Sequence, residues 1–132
     1  MPAALVLEDD PSVCTTLCTM LTLAGFTTHR AQTVDDALAI LGAEHVDAVL
    51  LDLRVPDPKG LDRSGLSLLT ILRQTPRYTA VPALILTGVP LSLEEEDAAR
   101  KLNAPVFYKP QPYAVLIKHL NRQLRPLRAG AP

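Results

Sequence analysis

The chain has no tryptophan, two cysteines, and aromatic residues at only 4% of 132 positions. Each shortage excludes something. Two cysteines cannot build a disulfide framework. Cys14 and Cys18 stand four apart, on one face of any helix. A metal site on that pair would need further ligands, and His29, His45 and His119 are scattered along the chain. The pair therefore reads as small, part-buried helix residues. There is no excess of one charge: 13 Lys and Arg stand against 14 Asp and Glu, a net charge of −1. That balance argues against general nucleic-acid binding, which shows a basic surplus. No apolar run approaches the roughly 20 residues that span a bilayer. Met1-Pro2-Ala3-Ala4 lacks the charged start and cleavage site of a secretory signal. The expected compartment is the cytoplasm, with no membrane contact. No glycine-rich phosphate loop follows the first apolar run, which disfavours a nucleotide-binding fold.

What is present is alternation. The length suits one domain, and 48% hydrophobic residues with 20% charged suit a globular chain. Ala4–Leu7 is a short apolar run closed by Glu8-Asp9-Asp10. Pro11 suits a first helical turn, Asp10 can cap it, and Val13, Leu17 and Leu21 give that helix an apolar stripe. Gly25 ends it. Phe26–Ala31 is a weaker strand. Thr33 with Asp36 opens a second helix bearing Val34, Ala37, Leu38 and Leu41 at helical spacing. Val46–Leu53 is almost continuously apolar, as a strand buried on both faces should be. Pro56, Pro58 and Gly60 make Arg54–Arg63 a loop. A third helix spans Leu66–Arg73, with Leu68, Leu69 and Leu72 inward. Val81–Leu86 is a fourth strand ending at Thr87-Gly88. Ser92 and Glu95 form a capping box for a fourth helix, which runs from acidic to basic. Pro105–Tyr108 is a fifth strand, and the last helix carries Tyr113, Leu116, Ile117, Leu120, Leu124 and Leu127 on one stripe. Five β-then-α units imply a parallel sheet covered on both faces, with function at the carboxyl ends of its strands.

Chemistry-bearing residues collect at those ends. Glu8 and Asp9 follow the first strand, Asp52 the third, Thr87 the fourth and Lys109 the fifth. Three carboxylates together repel unless a positive charge neutralises them. Hard Mg²⁺ suits carboxylate, water and phosphate oxygens. Lys109 is a compact cation able to hold a phosphoryl oxygen, and the Thr87 hydroxyl can donate to another. The set suits phosphoryl transfer to a carboxylate, in which an aspartate acts as nucleophile. Each residue alone is more often a turn residue or a cap; the joint placement carries the reading.

Over residues 3 to 127 the sequence resembles the response-regulator receiver domain of two-component signalling. The segments that carry the resemblance are Val6-Leu7-Glu8-Asp9-Asp10-Pro11, Leu50-Leu51-Asp52-Leu53-Arg54-Val55-Pro56-Asp57, Leu84-Ile85-Leu86-Thr87-Gly88 and Lys109-Pro110. The resemblance implies a flavodoxin-like, doubly wound α/β fold with five parallel strands in the order 2-1-3-4-5. Residues 128–132 would then be a tail or the start of a linker. The implied phosphoacceptor is Asp52, which receives the phosphoryl group from a phosphohistidine of a sensor histidine kinase or histidine phosphotransfer protein. Mg²⁺ is the implied cofactor, held by Asp9 and Asp52, by Glu8 through water, and by the backbone carbonyl of Arg54. Thr87 and Lys109 are the implied phosphate-binding and switch residues, and the peptide bond between Lys109 and Pro110 is implied to be cis. Asp10 falls one place past the acidic pair and is left as a helix cap.

Three features depart from the family pattern. The segment Pro58 to Arg63 reads as an insertion, with Gly65-Leu66 resembling the start of the third helix. The position three before Lys109, where the family places a switch aromatic, holds Val106; the aromatics are Phe107 and Tyr108. Bulky Arg54 and Val89 stand where the family controls the approach of water to the phosphoryl group, which suggests a long-lived phosphorylated state. No output domain follows, and the last helix carries only Lys118, Arg122 and Arg125 on its polar side, too small a patch for direct DNA binding to be expected. The family's use of its fourth and fifth helices raises a homodimer as a possible assembly. Two other readings are weighed. A dehalogenase-type hydrolase would need two aspartates flanking one residue, which Asp52-Leu53-Arg54 lacks. A receiver-like docking module that signals without phosphorylation is the alternative left standing.

Overall fold

A computed structural model describes residues 2–55, 58–60, 64–109 and 113–129, with side chains described as far as Leu124. The chain alternates strand and helix: β1 (Ala3–Leu7), α1 (Pro11–Leu23), β2 (Thr27–Ala31), α2 (Val34–Ala43), β3 (Ala48–Leu51), α3 (Gly65–Gln74), β4 (Ala83–Thr87), α4 (Leu93–Lys101), β5 (Val106–Tyr108) and α5 (Tyr113–Ala129). A single 3-10 turn, Pro76–Tyr78, lies between α3 and β4. The five strands form one parallel sheet in the order β2-β1-β3-β4-β5, as the sequence predicts.

Local chemistry explains the boundaries. Asp10 accepts the N–H groups of Ser12 and Val13 at the start of α1, satisfying two donors that the first turn leaves orphaned. Gly25, with φ +97, follows the cap of that helix, and Asn103, with φ 56, does the same after α4. Thr33 accepts the Asp36 N–H, so the expected capping pair forms on its threonine side. Ser92 and Glu95 form a full capping box.

The sheet divides the core in two. Leu5, Leu7, Val49, Leu51, Ala83 and Ile85 pack with residues of α2, α3 and α4. Ala4, Val6, Ala48, Leu50, Leu84 and Leu86 pack on the other face with α1 and α5. Alternate residues of a strand face opposite ways, so each central strand feeds both cores. This is why the third strand reads as a continuous apolar run. Cys14 and Cys18 are buried in the second core as free thiols, and burial pushes the Cys18 thiol up to about 11.

The second to fifth strands each start one or two residues later than their apolar runs. Val46 is buried but precedes β3, because the Asp47 carboxylate accepts the Ala3 N–H at 2.8 Å and ties the chain there before the ladder begins. Phe26 is buried at the start of the second run, and the ladder starts at Thr27. β2 is the weak strand because it pairs only with β1 and stands at the sheet edge.

Candidate phosphoacceptor site

The site is made by chain ends that the parallel sheet brings to one side. Glu8 follows β1, Asp52 follows β3, Thr87 closes β4 and Lys109 follows β5. Hydrogen bonds between neighbouring strands run on into these residues. The Glu8 N–H donates to Ala31 O at 3.0 Å, Asp52 N–H to Leu7 O at 3.0 Å, and Lys109 N–H to Thr87 O at 2.7 Å. The functional side chains therefore hang from the last rungs of a rigid ladder.

Lys109 Nζ donates to Glu8 Oε1 at 2.5 Å and to Asp52 Oδ2 at 3.2 Å. Glu8 and Asp52 are buried, while Asp9 is exposed. One carboxylate oxygen from each of Glu8, Asp9 and Asp52 lies within 4.8 Å of the others. The second oxygen of Asp52 accepts the Arg54 N–H at 2.9 Å. Glu8 Oε2 accepts the Asp9 N–H at 3.0 Å.

Burial pushes the Glu8 carboxyl up to about 7, and the nearby Asp52 charge adds to that, while the hydrogen bond from Lys109 pulls it down. Burial alone would lower the Lys109 ammonium; its bond to Glu8 and the charges of Asp52 and Glu8 outweigh this and raise it. One ammonium, bonded to Glu8 and Asp52, thus stands against three carboxylates, and the cluster is short of positive charge. A divalent cation with a preference for oxygen fits that deficit and that donor set.

Thr87 is fully buried, and its hydroxyl bonds locally, to the carbonyl and the N–H of Val89 at 3.3 Å each. In the ladder Thr87 stands opposite Tyr108. Val106 packs against the first core, and Phe107 packs against the second, with its ring edge-on to His119 at 5.5 Å. Val89 is half exposed.

With this geometry in view, comparison with known proteins is decisive. Residues 4–121 match the response regulator receiver domain family. The chain belongs to that family. Its fold is that of a response regulator receiver domain protein (CheY-like) from Methanospirillum hungatei JF-1, with TM-score 0.86, 20% identity and 99% of both chains covered. A chemotaxis protein CheY4 of Vibrio cholerae shares 25% identity, with TM-score 0.81 over 94% of this chain and 99% of the other. The DNA-binding transcriptional regulator NtrC of Proteus hauseri is 33% identical over 83 residues, 63% of this chain but 16% of that protein. The receiver domain thus spans about a sixth of that curated relative. Receiver domains are signalling phosphoacceptors rather than enzymes in the usual sense. They act with a histidine kinase or phosphotransfer partner, and bind Mg²⁺ at an acidic pocket. Among the described residues no helix is long and apolar enough to cross a membrane.

Of the residues singled out from the sequence, Glu8, Asp9, Asp52 and Lys109 come together, and the Arg54 backbone reaches Asp52. Pro110, with the bond expected to be cis, lies outside the described residues, as do 61–63 of the insertion. In the described part of that insertion, Lys59 reaches toward Asp35 at 3.5 Å. Two residues have roles at the site beyond those read from the sequence. Gly65 opens α3 so close to β3 that an added Cβ would lie 2.5 Å from the Asp52 carbonyl oxygen. Glu95 was legible only as a helix cap, yet it also takes the Arg54 guanidinium at 2.7 and 2.8 Å. A pair 41 residues apart leaves no local signal.

Proposed function

We propose that Asp52 is the phosphoacceptor of a two-component phosphorelay. A phosphohistidine on a sensor histidine kinase or histidine phosphotransfer protein is the donor. The observation that carries this reading is the sharing of Lys109 between Asp52 and Glu8 beside the exposed carboxylate of Asp9. Asp52 is anchored on one oxygen by the Arg54 N–H. An oxygen of Asp52 attacks phosphorus; the bond from phosphorus to imidazole nitrogen breaks as the bond to oxygen forms. The imidazole leaves with the electron pair, and a proton on its other ring nitrogen makes it neutral as it departs. Lys109 holds the transferred oxygens by charge. The Thr87 hydroxyl gives up its long bonds to Val89 and donates to the phosphoryl group. Asp9 and Asp52 would hold Mg²⁺, with Glu8 acting through water and the Arg54 carbonyl as a further ligand; the ion supplies neutralisation of the transferring charge. Self-phosphorylation from small donors and autodephosphorylation are the only chemistry the chain itself performs.

In this reading the functional unit is residues 3–127, it works in the cytoplasm, and phosphorylation switches partner binding. The faces of α4 and α5 are the candidate docking or homodimer surface, and the chain is not expected to contact DNA directly.

Incubation with acetyl phosphate and Mg²⁺ is expected to add one phosphoryl group by intact mass. The gain should vanish in Asp52→Ala and in the absence of Mg²⁺. A native protein that binds Mg²⁺ yet gains no mass would instead support a docking module that signals without phosphate. Arg54→Ala and Val89→Ala should each shorten the phosphoryl lifetime several-fold, because the family controls the approach of water from these two positions and both hold bulky residues here. Unchanged lifetimes in both variants would contradict that role.

A further inference from the structure

Resting on the reading of Asp52 as phosphoacceptor, we propose that the Arg54–Glu95 pair is a clamp. It ties α4 to the phosphoacceptor loop and opens when Asp52 is phosphorylated. Both oxygens of Asp52 already have partners: the Arg54 N–H on Oδ1 and Lys109 on Oδ2. Attachment of phosphorus to either oxygen must therefore disturb one of these two residues. The attached oxygen loses its charge, and about two negative charges appear beyond it on the phosphoryl oxygens.

Two cations belong to residues bonded to Asp52, and they are held differently. The Lys109 ammonium is fixed between two buried carboxylates. The Arg54 guanidinium reaches away, to both oxygens of Glu95. That pair has ideal forked geometry but is partly exposed, with side-chain exposures of 44% and 20%. The fork makes the pair stronger than a single-point contact, but its exposure leaves it screened by water and salt, so a phosphoryl dianion two residues from Arg54 can compete for the guanidinium. Glu95 meanwhile does not need Arg54 to stay structured. Its Oε1 accepts the Ser92 N–H at 2.9 Å, and its own N–H donates to Ser92 Oγ at 3.1 Å. Loss of the guanidinium would leave the cap intact while freeing α4 from the loop. Glu94, Glu95 and Glu96 would then stand together at the start of α4 without their tether to the site.

Glu95 is thus a positioning residue, and Val106 leaves a need for such a route. β5 has no aromatic side chain at that core-packed position through which Thr87 could signal.

The test is amide hydrogen exchange of the segment 92–101, read by mass spectrometry with and without acetyl phosphate in Mg²⁺. The phosphorylated fraction is measured on the same samples by intact mass. In the native protein, exchange of this segment should rise several-fold on phosphorylation. Glu95→Gln keeps an acceptor for the Ser92 N–H but loses the charge. It should exchange at the raised rate before phosphorylation and change little after it. Raising NaCl should move the unphosphorylated native protein toward the variant. A fully phosphorylated native protein with unchanged exchange would overturn the clamp while leaving the phosphoacceptor reading intact. So would a Glu95→Gln variant that responds as the native protein does. Absence of any mass gain would overturn both.

Discussion

Glu8 illustrates how one residue carries a cost that function explains. It is buried beside a second carboxylate, and burial raises its carboxyl to about 7, well above the ordinary carboxylate value of an unfolded chain. A group whose folded value is raised contributes stability that is complete below its unfolded value. That contribution fades as pH rises from about 4.5 through about 7. Lys109 is raised as well, but its contribution is lost only above the lysine range and does not affect this window. Without metal, the receiver domain should therefore lose on the order of 2 kcal/mol between pH 5 and pH 8 by urea unfolding. Glu8→Gln should flatten that slope. A native slope equal to that of Glu8→Gln would contradict the assignment. Mg²⁺ at pH 8 should recover part of the loss, because a ligand that binds only the folded state stabilises it. At this scale the sequence was informative: Glu8, Asp9, Asp52, Thr87 and Lys109 are all chemically expressive residues next to apolar runs. Glu95 was not, since its chemistry is identical whether it caps a helix or also pairs with Arg54 across the fold.

At the scale of elements, the helices and strands follow from periodicity and caps, and their exact ends follow from contacts that periodicity does not contain. β3 starts two residues after Val46 because Asp47 is held by the Ala3 N–H. The 3-10 turn Pro76–Tyr78 had no apolar pattern to announce it. It exists because the buried Tyr78 hydroxyl donates toward the carbonyls of Leu41 and Glu44, at 2.8 and 3.0 Å, binding the end of α2 to the entry of β4. Gly65 is the sharpest case. The sequence marks Gly65-Leu66 as the helix start, but only the packing of α3 on the end of β3 explains why a side chain fails there. Gly65→Ala would drive a Cβ against the Asp52 carbonyl oxygen and Leu51 Cδ1, at 2.5 and 2.8 Å. Overpacking of this kind costs about 1–3 kcal/mol. The variant should lower the unfolding free energy by that amount, seen as a lower unfolding midpoint, and because the clash is with Asp52 itself, it should also slow phosphoryl uptake. An unchanged midpoint would mean that α3 can shift away from the site freely.

For the whole molecule, two cores on opposite faces of one sheet hold five strands in parallel, and the site is a consequence of that arrangement. Parallel strands end on the same side, so residues 8, 52, 87 and 109, distant in the chain, need no dedicated scaffold to meet. The near-zero net charge leaves the carboxylate cluster as a local feature of one edge rather than part of a general acidic field. The claim on which everything else depends is that phosphorus is carried by Asp52 and by no neighbouring carboxylate. It is tested most directly by phosphorylating the protein with acetyl phosphate in Mg²⁺, reducing the acyl phosphate with borohydride, and sequencing the peptides by mass spectrometry. Reduction converts a phosphorylated aspartate to homoserine. The account predicts homoserine at position 52 alone. Homoserine at position 9, a reduced glutamate at position 8, or an unmodified Asp52 in protein that has gained phosphate would contradict it.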